Sequence, residues 1–381
     1  MSSTDTLFRS FSFARGVTLR NRVVMAPMTT WSSNDDETIS DQELAWYRAR
    51  AQGVGMVITG CTHVQRSGIG FTDEFAAYDD RFIPSLRRLA DAAKSGGAHA
   101  VLQIFHAGNK AVPHLIPDGD LVSASAGRAT PGPFNSGDIS SRALDHEEIR
   151  EVIRAFGEAT RRAIDAGFDG IELHGAHGFL IQNFFSPRFN QRNDEWGGSL
   201  ENRMRFPLEV VREVKRVISL HAQRPFLLGY RFSPEEADEG ALRITDACAL
   251  MDQLVEEQVD YLHVSLKKVL SSTPQDSVSG GRTNAEIIID RVADRVPLLA
   301  AGEIYTAQQA RDALALGLPL VAVGRGLAVT PDWVELAKAG DEFHIRKAMD
   351  MSQDPARNAI PNKLWHIIRT TPGWFPRHEG A

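Results

Sequence analysis

The chain alternates eight times between a short apolar segment and an amphipathic one. Each apolar run is short and rich in Val, Ile and Leu, and a stretch with helical periodicity follows it. Strands that are apolar on both faces and alternate with helices are typical of a parallel sheet. The apolar runs lie at 22–27, 55–60, 100–106, 170–175, 226–233, 261–266, 297–303 and 320–326, and the helical stretches at 41–52, 83–95, 146–165, 199–219, 245–257, 283–294, 306–316 and 331–338.

Eight strand–helix units predict an α/β fold, the (β/α)8 TIM barrel, over about residues 20–340. A doubly wound sheet is the alternative, but it needs a glycine-rich turn after the first strand, where this chain has "APMTTWSS". No segment resembles an interdomain linker, so residues 1–381 are predicted to form a single domain. Two segments exceed the barrel: a Gly-, Pro- and Ser-rich loop at 107–145 after strand 3, and a C-terminal extension at 341–381.

Composition excludes several classes of function. The net charge of −7 argues against nucleic acid or an anionic membrane as the main partner. The N-terminus lacks the apolar core of a signal peptide, and no stretch is apolar over 18 residues, so a cytoplasmic protein without a membrane span is expected. The two cysteines, Cys61 and Cys248, cannot form a zinc or iron–sulfur site alone, and two buried thiols are expected.

The predicted strands end in polar residues and glycines, the reverse of the apolar runs that precede them. In a TIM barrel these ends meet at one face, where the active site lies. Glycines at the ends of the last two strands, together with Arg325, predict a phosphate site, although ordinary tight turns also explain glycines there. The strand-end residues include Pro27, Met28, Thr29, Gly60, Gln103, His106, His174, His177, Arg231, Ser265, Gly302, Gly324 and Arg325.

The fourth strand ends in His174 and His177, and three roles are open to this pair. A metal site would need further ligands, and no carboxylate or third imidazole lies close by in the sequence. Histidines bonded to the backbone in the core are a second explanation. The third and favoured role is a pair of N–H donors that converge on one ligand oxygen and stabilise the negative charge that develops there.

Several motifs resemble the old yellow enzyme family of FMN-dependent ene reductases. They are "VVMAPMT" at 23–29, "LQIFHAG" at 102–108, "VGRG" at 323–326 and, most specifically, "HGAHGFL" with "FFSPRFNQRNDEWGGSLENR" within 174–203. The motifs occur in the family's order and at compatible spacing over roughly residues 7–340. The resemblance implies a TIM barrel that binds FMN and uses NADPH or NADH as its reductant.

The resemblance also implies a role for each matching residue. Thr29 would tune the flavin through a hydrogen bond. Gln103 and Arg231 would contact the pyrimidine edge of the ring, and His174 and His177 would bind the carbonyl or nitro oxygen of the acceptor. The charges at 186–203 would be structural rather than catalytic. The remaining contacts to the ring and the phosphate would come from Pro27, Met28, Gly60, Gly302, Gly324 and Arg325.

The implied reaction is ping-pong reduction of an electrophilic alkene such as an enone. NAD(P)H reduces the flavin, and hydride then passes to the β-carbon of the alkene while charge moves to its oxygen. The flavin carries this chemistry, and the protein supplies position and electrostatic field. The physiological substrate, the choice between NADH and NADPH, and the oligomeric state stay open, a homo-oligomer being one option.

Three positions depart from the family pattern. Asn109 stands where an Arg often follows His-Ala-Gly, and Phe179 stands where a Tyr usually donates the proton that completes alkene reduction. The "TTPGWFPR" segment at 370–377 does not match the tail of the best-known members. Quinone or nitro acceptors, or a flavin-binding protein with little turnover, are therefore the alternatives. Trp31 and Phe179 are expected to line the substrate pocket, and no Tyr of the chain is predicted to face it.

Overall fold

The computed structural model describes residues 5–129, 131, 138–276 and 280–378. Small parts of two predicted segments, at 130 and 132–137 in the long loop and at 379–381 in the extension, lie outside the described residues. Eight parallel strands form a closed barrel, which confirms the predicted fold class. The strands are β1 (Val23–Met25), β2 (Met56–Ile58), β3 (His99–Phe105), β4 (Gly170–Gly175), β5 (Leu227–Phe232), β6 (Tyr261–Ser265), β7 (Leu298–Ala301) and β8 (Leu320–Val323).

Each strand pairs in parallel with the next along the chain, and β8 pairs with β1 to close the ring. The register places functional positions side by side: Glu172 lies opposite Gln103, and Arg231 lies between His174 and His263. Strands β1, β2, β7 and β8 are shorter than predicted, because the residues that follow each of them leave the sheet.

A helix follows each strand, within a few residues of its predicted position. Ser199 and Thr306, the first residues of two predicted helical stretches, are N-caps, since each side chain accepts a backbone N–H from the first helical turn. Capping boxes also begin the first and third helices, at Ser40 and Asp145. The helices are α1 (Asp41–Arg50), α2 (Ile83–Lys94), α3 (His146–Asp165), α4 (Leu200–His221), α5 (Ile244–Glu256), α6 (Asn284–Val292), α7 (Ala307–Ala315) and α8 (Trp333–Ala339).

The apolar core has two main layers. The larger fills the space between strands and helices, and the smaller lies inside the barrel, where Val24, Val101 and Leu299 pack together. The N-terminal segment contributes Phe13 to the inner layer, and its ring centroid lies 6.0 Å from that of Tyr261. Because these residues sit near the starts of their strands, the inner layer fills the lower barrel and leaves the carboxyl ends of the strands for the site.

The C-terminal extension packs back onto the barrel. Arg50 of α1 is fully buried and donates to the carbonyls of Ala328 and Asn358, which ties the extension to the first helix. No helix among the described residues combines the length and apolar character that a membrane crossing requires. The remaining elements are strands Phe11–Ser12, Thr18–Leu19, Thr62–His63, Val122–Ser123, Gly127–Arg128, Ser140–Ala143, Met349–Asp350 and Arg377–His378, and helices Leu180–Phe185, Arg325–Val329 and Asn362–Thr370.

Candidate active site

A cavity of about 450 Å³ opens at the carboxyl ends of the strands. Its size is within the range of small-molecule and cofactor sites. It brings together the predicted site residues with the exception of Gly60. The predicted residues that line it are Pro27, Met28, Thr29, Trp31, Gln103, His174, His177, Phe179, Arg231, Gly302, Gly324 and Arg325.

Gly60 lies behind the cavity wall, where it supports the segment that follows β1. A Cβ atom at this position would lie 2.6 Å from the carbonyl oxygen of Met28, so only glycine allows the two segments to approach. The Gly60 N–H donates to the hydroxyl of Tyr47, 2.8 Å away, on the buried face of α1. The next residue, Cys61, lines the cavity in its place, and its buried thiol lies near Thr29.

A buried carboxylate inside the barrel orients Gln103. Glu172 is fully buried, and its two oxygens accept from Gln103 Nε2 at 2.7 Å and contact His263 Nδ1 at 2.9 Å. Burial alone would raise the pKa of Glu172, but His263 and Arg231 outweigh it and hold the pKa below its ordinary value. Because Gln103 Nε2 donates to Glu172, the other amide atom of Gln103, Oε1, is the one that can accept a hydrogen bond. Gln103 Oε1 lies 3.5 Å from the Cys61 thiol.

Arg231 places a buried cation at the cavity. It is 7% exposed, its Nη2 donates to Ser265 Oγ at 3.1 Å, and its Nε has no hydrogen-bond partner among the described residues. Burial lowers the pKa of Arg231, and Glu172 acts in the opposite direction. A guanidinium stays charged under these conditions, so an unused N–H donor beside a cavity fits a ligand that carries negative charge.

The His174 ring is oriented by its own backbone. Its Nδ1 lies 3.3 Å from the N–H of Ala176 and accepts from it, which leaves the proton on Nε2. Burial, followed by the proximity of the His177 ring and the Arg231 cation, holds the pKa of His174 well below its ordinary value. The side chain therefore presents a neutral N–H donor to the cavity.

His177 occupies a left-handed backbone conformation with φ of 61°. Hydrogen bonds hold both sides of this turn: the His177 N–H donates to Ser233 Oγ at 3.1 Å, and Lys110 Nζ donates to the His177 carbonyl at 2.6 Å. Its Nε2 lies 2.7 Å from Ser265 Oγ, the hydroxyl that also accepts from Arg231. Burial and Arg231 hold the pKa of His177 well below its ordinary value, so this ring is neutral as well.

The two imidazoles stand close enough to act on one atom. Their ring centroids are 5.1 Å apart and their planes cross at 79°. Both rings lie on the cavity, which is the position that the favoured donor role requires. Ser265, which the sequence placed at the end of β6 without a role, is the hydroxyl that connects His177 to Arg231.

Aromatic rings form the apolar wall beside the histidines. The Phe179 ring packs edge-on against His174, with centroids 4.9 Å apart, and against Phe105 at 5.0 Å. Phe71 joins them, 6.0 Å from Phe179 and 5.3 Å from Trp31. The predicted wall residues Trp31 and Phe179 therefore do line the cavity, and Phe71 is an addition.

The other end of the cavity contains the glycines of β7 and β8. A Cβ atom at Gly302 would lie 2.5 Å from the Leu266 carbonyl, so the close approach of the loop after β6 is one reason for this glycine. Gly324 immediately precedes the helix Arg325–Val329. Arg325 lies over the Tyr305 ring at 5.3 Å, and Tyr305 lines the cavity. The expectation that no Tyr faces the pocket was wrong, because the chain turns back toward the cavity after Gly302.

Some cavity residues gave no local signal in the sequence. Phe71 lies in the irregular segment after β2, and Trp374 lies in the extension, far from the strand that precedes it. Both reach the cavity through packing between segments that are distant in the sequence. The local periodicity of apolar residues does not predict such contacts. The available clue was that "GFTDEF" and "GWFPR" lie outside the predicted strands and helices, since binding residues are often on loops.

The polar segment at 186–203 holds the short helix after β4 in place. Asn190 donates to the carbonyls of Phe184 and Trp196, and Arg192 donates to carbonyls of the long loop after β3. Arg203 donates to the Phe185 carbonyl at 3.1 Å. These charged side chains are engaged by the backbone around them, in agreement with the structural role predicted for them.

Comparison with known proteins gives consistent matches. The model of the NADH:flavin oxidoreductase / NADH oxidase family matches residues 6–343. A probable NADH-dependent flavin oxidoreductase of Bacillus subtilis, YqiG, is 44% identical over 97% of both chains. The NADH:fumarate oxidoreductase of Klebsiella pneumoniae is 37% identical over 96% of this chain, which spans only 39% of that longer protein.

Solved structures agree with the fold. Morphinone reductase in complex with tetrahydroNAD is 25% identical, with a TM-score of 0.76, and the match covers 93% of this chain and 96% of that one. The old yellow enzyme homologue from Zymomonas mobilis is also 25% identical with a TM-score of 0.76, over 88% and 93% of the two chains.

The site residues fit the cofactor that this family uses. The unused Arg231 N–H, the oriented Gln103 amide and the open backbone at Gly324 offer contacts for a ring with a polar edge and for a phosphate. The enzyme is a flavin oxidoreductase whose cofactors are FMN and NADH or NADPH. The chain belongs to the NADH:flavin oxidoreductase / NADH oxidase family, and its relatives include the old yellow enzymes.

Proposed function

We propose that this enzyme reduces activated C=C bonds, such as those of enones and related electron-poor acceptors, by ping-pong hydride transfer. The observation that carries the proposal is the pair of neutral imidazoles, His174 and His177, on one cavity with the buried cation of Arg231. FMN, when bound, would supply the hydride chemistry between NAD(P)H and the acceptor.

The two histidines bind the acceptor oxygen and stabilise the charge that arrives there. Hydride addition at the β-carbon moves an electron pair onto the carbonyl oxygen, where the His174 Nε2–H is available as a donor. His177 must release Ser265 or use its other ring nitrogen to join it. Each such donor typically contributes about 2.7–4 kcal/mol to transition-state stabilisation.

Arg231 and Gln103 serve the cofactor rather than the acceptor. Arg231 holds a positive charge beside the cavity, and Glu172 and Ser265 fix its surroundings. A fixed cation favours the form of a ring system that carries negative charge. Thr29, Pro27 and Met28 lie on the same cavity and are assigned to the ring, and Gly302, Gly324 and Arg325 to the phosphate.

Phe179 favours a second candidate function. At this position the ring has no proton to give to the α-carbon after hydride transfer, and it packs directly against His174. Acceptors whose slow step does not need this proton, such as quinones or nitro compounds, avoid the deficit. For alkenes the proton comes from water. Because water is not a positioned acid, simple enones are reduced more slowly.

The names of two relatives refer to activated alkenes. Besides the NADH:fumarate oxidoreductase, an NADH:acrylate oxidoreductase of Vibrio harveyi is 38% identical over 93% of this chain. The shared part is 39% and 35% of those proteins, so their names do not locate the alkene site within it. They support an NADH-dependent reductive role and leave the acceptor to experiment.

Stopped-flow spectroscopy of the purified protein tests this function. NADH or NADPH should bleach the flavin absorbance, and each acceptor in a panel of enones, nitroalkenes and quinones should restore it at its own rate. Recovery of the flavin absorbance with enones supports alkene reduction. Recovery with quinones or nitro compounds alone supports the second candidate. Bleaching that none of these acceptors reverses would reject both and leave a flavin-binding protein with little turnover.

A further inference from the structure

The C-terminal extension places a large aromatic side chain on the wall of the active-site cavity. Trp374 lies on the same cavity as His174 and His177, although it follows the last barrel helix by more than thirty residues. Its indole meets the Trp31 ring edge-on, with centroids 5.3 Å apart and planes at 80°. The extension therefore takes part in the site and does more than cover the barrel.

The backbone on both sides of Trp374 is fixed by hydrogen bonds. Arg325 Nη1 donates to the Trp374 carbonyl at 2.9 Å, so the residue assigned to the cofactor phosphate also holds this turn. The Met349 N–H donates to the Pro376 carbonyl at 2.7 Å, and Phe375 is only 2% exposed. A side chain on such an anchored turn has little freedom to move away from an incoming ligand.

Trp374 begins a continuous row of aromatic rings that ends at the histidines. The ring centroid of Trp31 lies 5.3 Å from those of both Trp374 and Phe71. The centroids of Phe71 and Phe179 are 6.0 Å apart. Phe179 then packs against His174 at 4.9 Å. We expect an acceptor whose oxygen is held by the histidines to place its apolar body along this row, with Trp31 and Trp374 at the far end.

We propose that Trp374 is a specificity-determining residue that limits the size of the acceptor, an inference that rests on the function proposed above. The cavity of about 450 Å³ must hold both the flavin ring and the acceptor, so each wall residue decides how much room remains. The indole at position 374 excludes substituents remote from the acceptor oxygen. In hydrophobic pockets, one methylene more or less changes kcat/KM by about 10–200-fold.

The test compares Trp374→Ala and Trp374→Phe with Trp365→Ala as a matched control. Trp365 lies in the helix Asn362–Thr370 of the same extension and is half-buried, but it does not line the cavity. Two readouts are measured on FMN-loaded proteins with unchanged circular dichroism. One is kcat/KM for enones of increasing size, and the other is the dissociation constant of phenols with para-substituents of increasing size.

In Trp374→Ala, kcat/KM for bulky enones divided by kcat/KM for small enones should rise by about tenfold or more. The affinity for phenols with bulky para-substituents, relative to that for small phenols, should rise as well. Trp374→Phe should fall between Ala and the wild type, and Trp365→Ala should keep the wild-type ratio. Equal ratios in all four proteins would overturn the proposal. If no protein reduces an enone, the proposed function fails, and the phenol series alone then decides for or against the size limit.

Discussion

At the scale of single residues, the site consists of groups with unusual environments. His174 and His177 are neutral because burial and nearby cations hold their pKa values well below the ordinary range. Motif matching located both, together with Arg231 and Gln103, because these residues stand at the ends of strands that the sequence predicts well. Sequence patterns could not assign roles to Ser265 or Glu172, since their roles come from hydrogen bonds to residues on other strands.

Arg231→Met should weaken FMN binding. The substitution keeps an unbranched side chain but removes a buried cation with an unused N–H. Hydrogen bonds to charged groups contribute about 1.5–3 kcal/mol, so the dissociation constant of FMN should rise about 10- to 100-fold. Flavin fluorescence on titration of the apoprotein measures it. A variant that binds FMN as tightly as the wild type and is reduced by NAD(P)H at the same rate would remove Arg231 from the cofactor site.

Phe179→Tyr should accelerate alkene reduction without a change in flavin reduction. General acid catalysis typically contributes about 10²–10⁴-fold, and the phenol of a Tyr here would stand beside His174. Single-turnover reoxidation by one enone, measured across pH for both proteins, reads the proton-dependent step. Reduction by NAD(P)H is the internal control, because it does not use this proton. Equal reoxidation rates at every pH would mean that another group donates the proton.

At the scale of elements, local patterns located the strands and helices because periodicity and capping act over a few residues. The ends were less accurate, since β1, β2, β7 and β8 stop earlier than predicted. The helix Asn362–Thr370 was not predicted, although its buried Leu364 and Ile368 stand at helical spacing. The element that supports the site most directly is α1. Its buried Glu43 accepts from Thr30 Oγ1 at 2.5 Å and from Ser33 Oγ, in the segment that contains Trp31.

The titration of Glu43 makes the support of this segment pH-dependent. Burial raises the pKa of Glu43 to about 7, against about 4.5 for the ordinary side chain. The folded protein thus favours the protonated form of Glu43. The contribution of this protonated side chain to the free energy of unfolding is complete below pH 4.5 and is lost as the pH rises through 7. Each unit of pKa difference corresponds to about 1.4 kcal/mol.

Glu43→Gln, which mimics the protonated acid, isolates this effect. The free energy of unfolding of Glu43→Gln minus that of the wild type should increase between pH 4.5 and 7 and stay constant above it. Urea denaturation of both proteins at several pH values gives this difference, and other titrating groups cancel in it. A difference that is flat from pH 4 to 8 would show that Glu43 keeps an ordinary pKa in the folded protein.

At the scale of the whole molecule, the barrel brings distant parts of the chain to one cavity. The closed ring of strands was predictable from eight repeats of one pattern, and the lower barrel is filled by apolar residues near the strand starts. The contributions of Phe71 and Trp374 were not predictable, because they depend on how irregular segments pack over the barrel mouth. The strand ends thus bring His174 and Arg231 to the cavity, and segments outside the barrel add Phe71 and Trp374 to the same wall.

The cooperation of His174 and His177 on one acceptor oxygen can be measured by titration of the oxidised FMN enzyme with a phenol. A phenolate bound over the flavin gives a long-wavelength charge-transfer absorbance. We expect this band in the wild type, and its loss or large weakening in both His174→Ala and His177→Ala, with FMN still bound. A band of wild-type strength and affinity in both variants would remove the two histidines from the acceptor site.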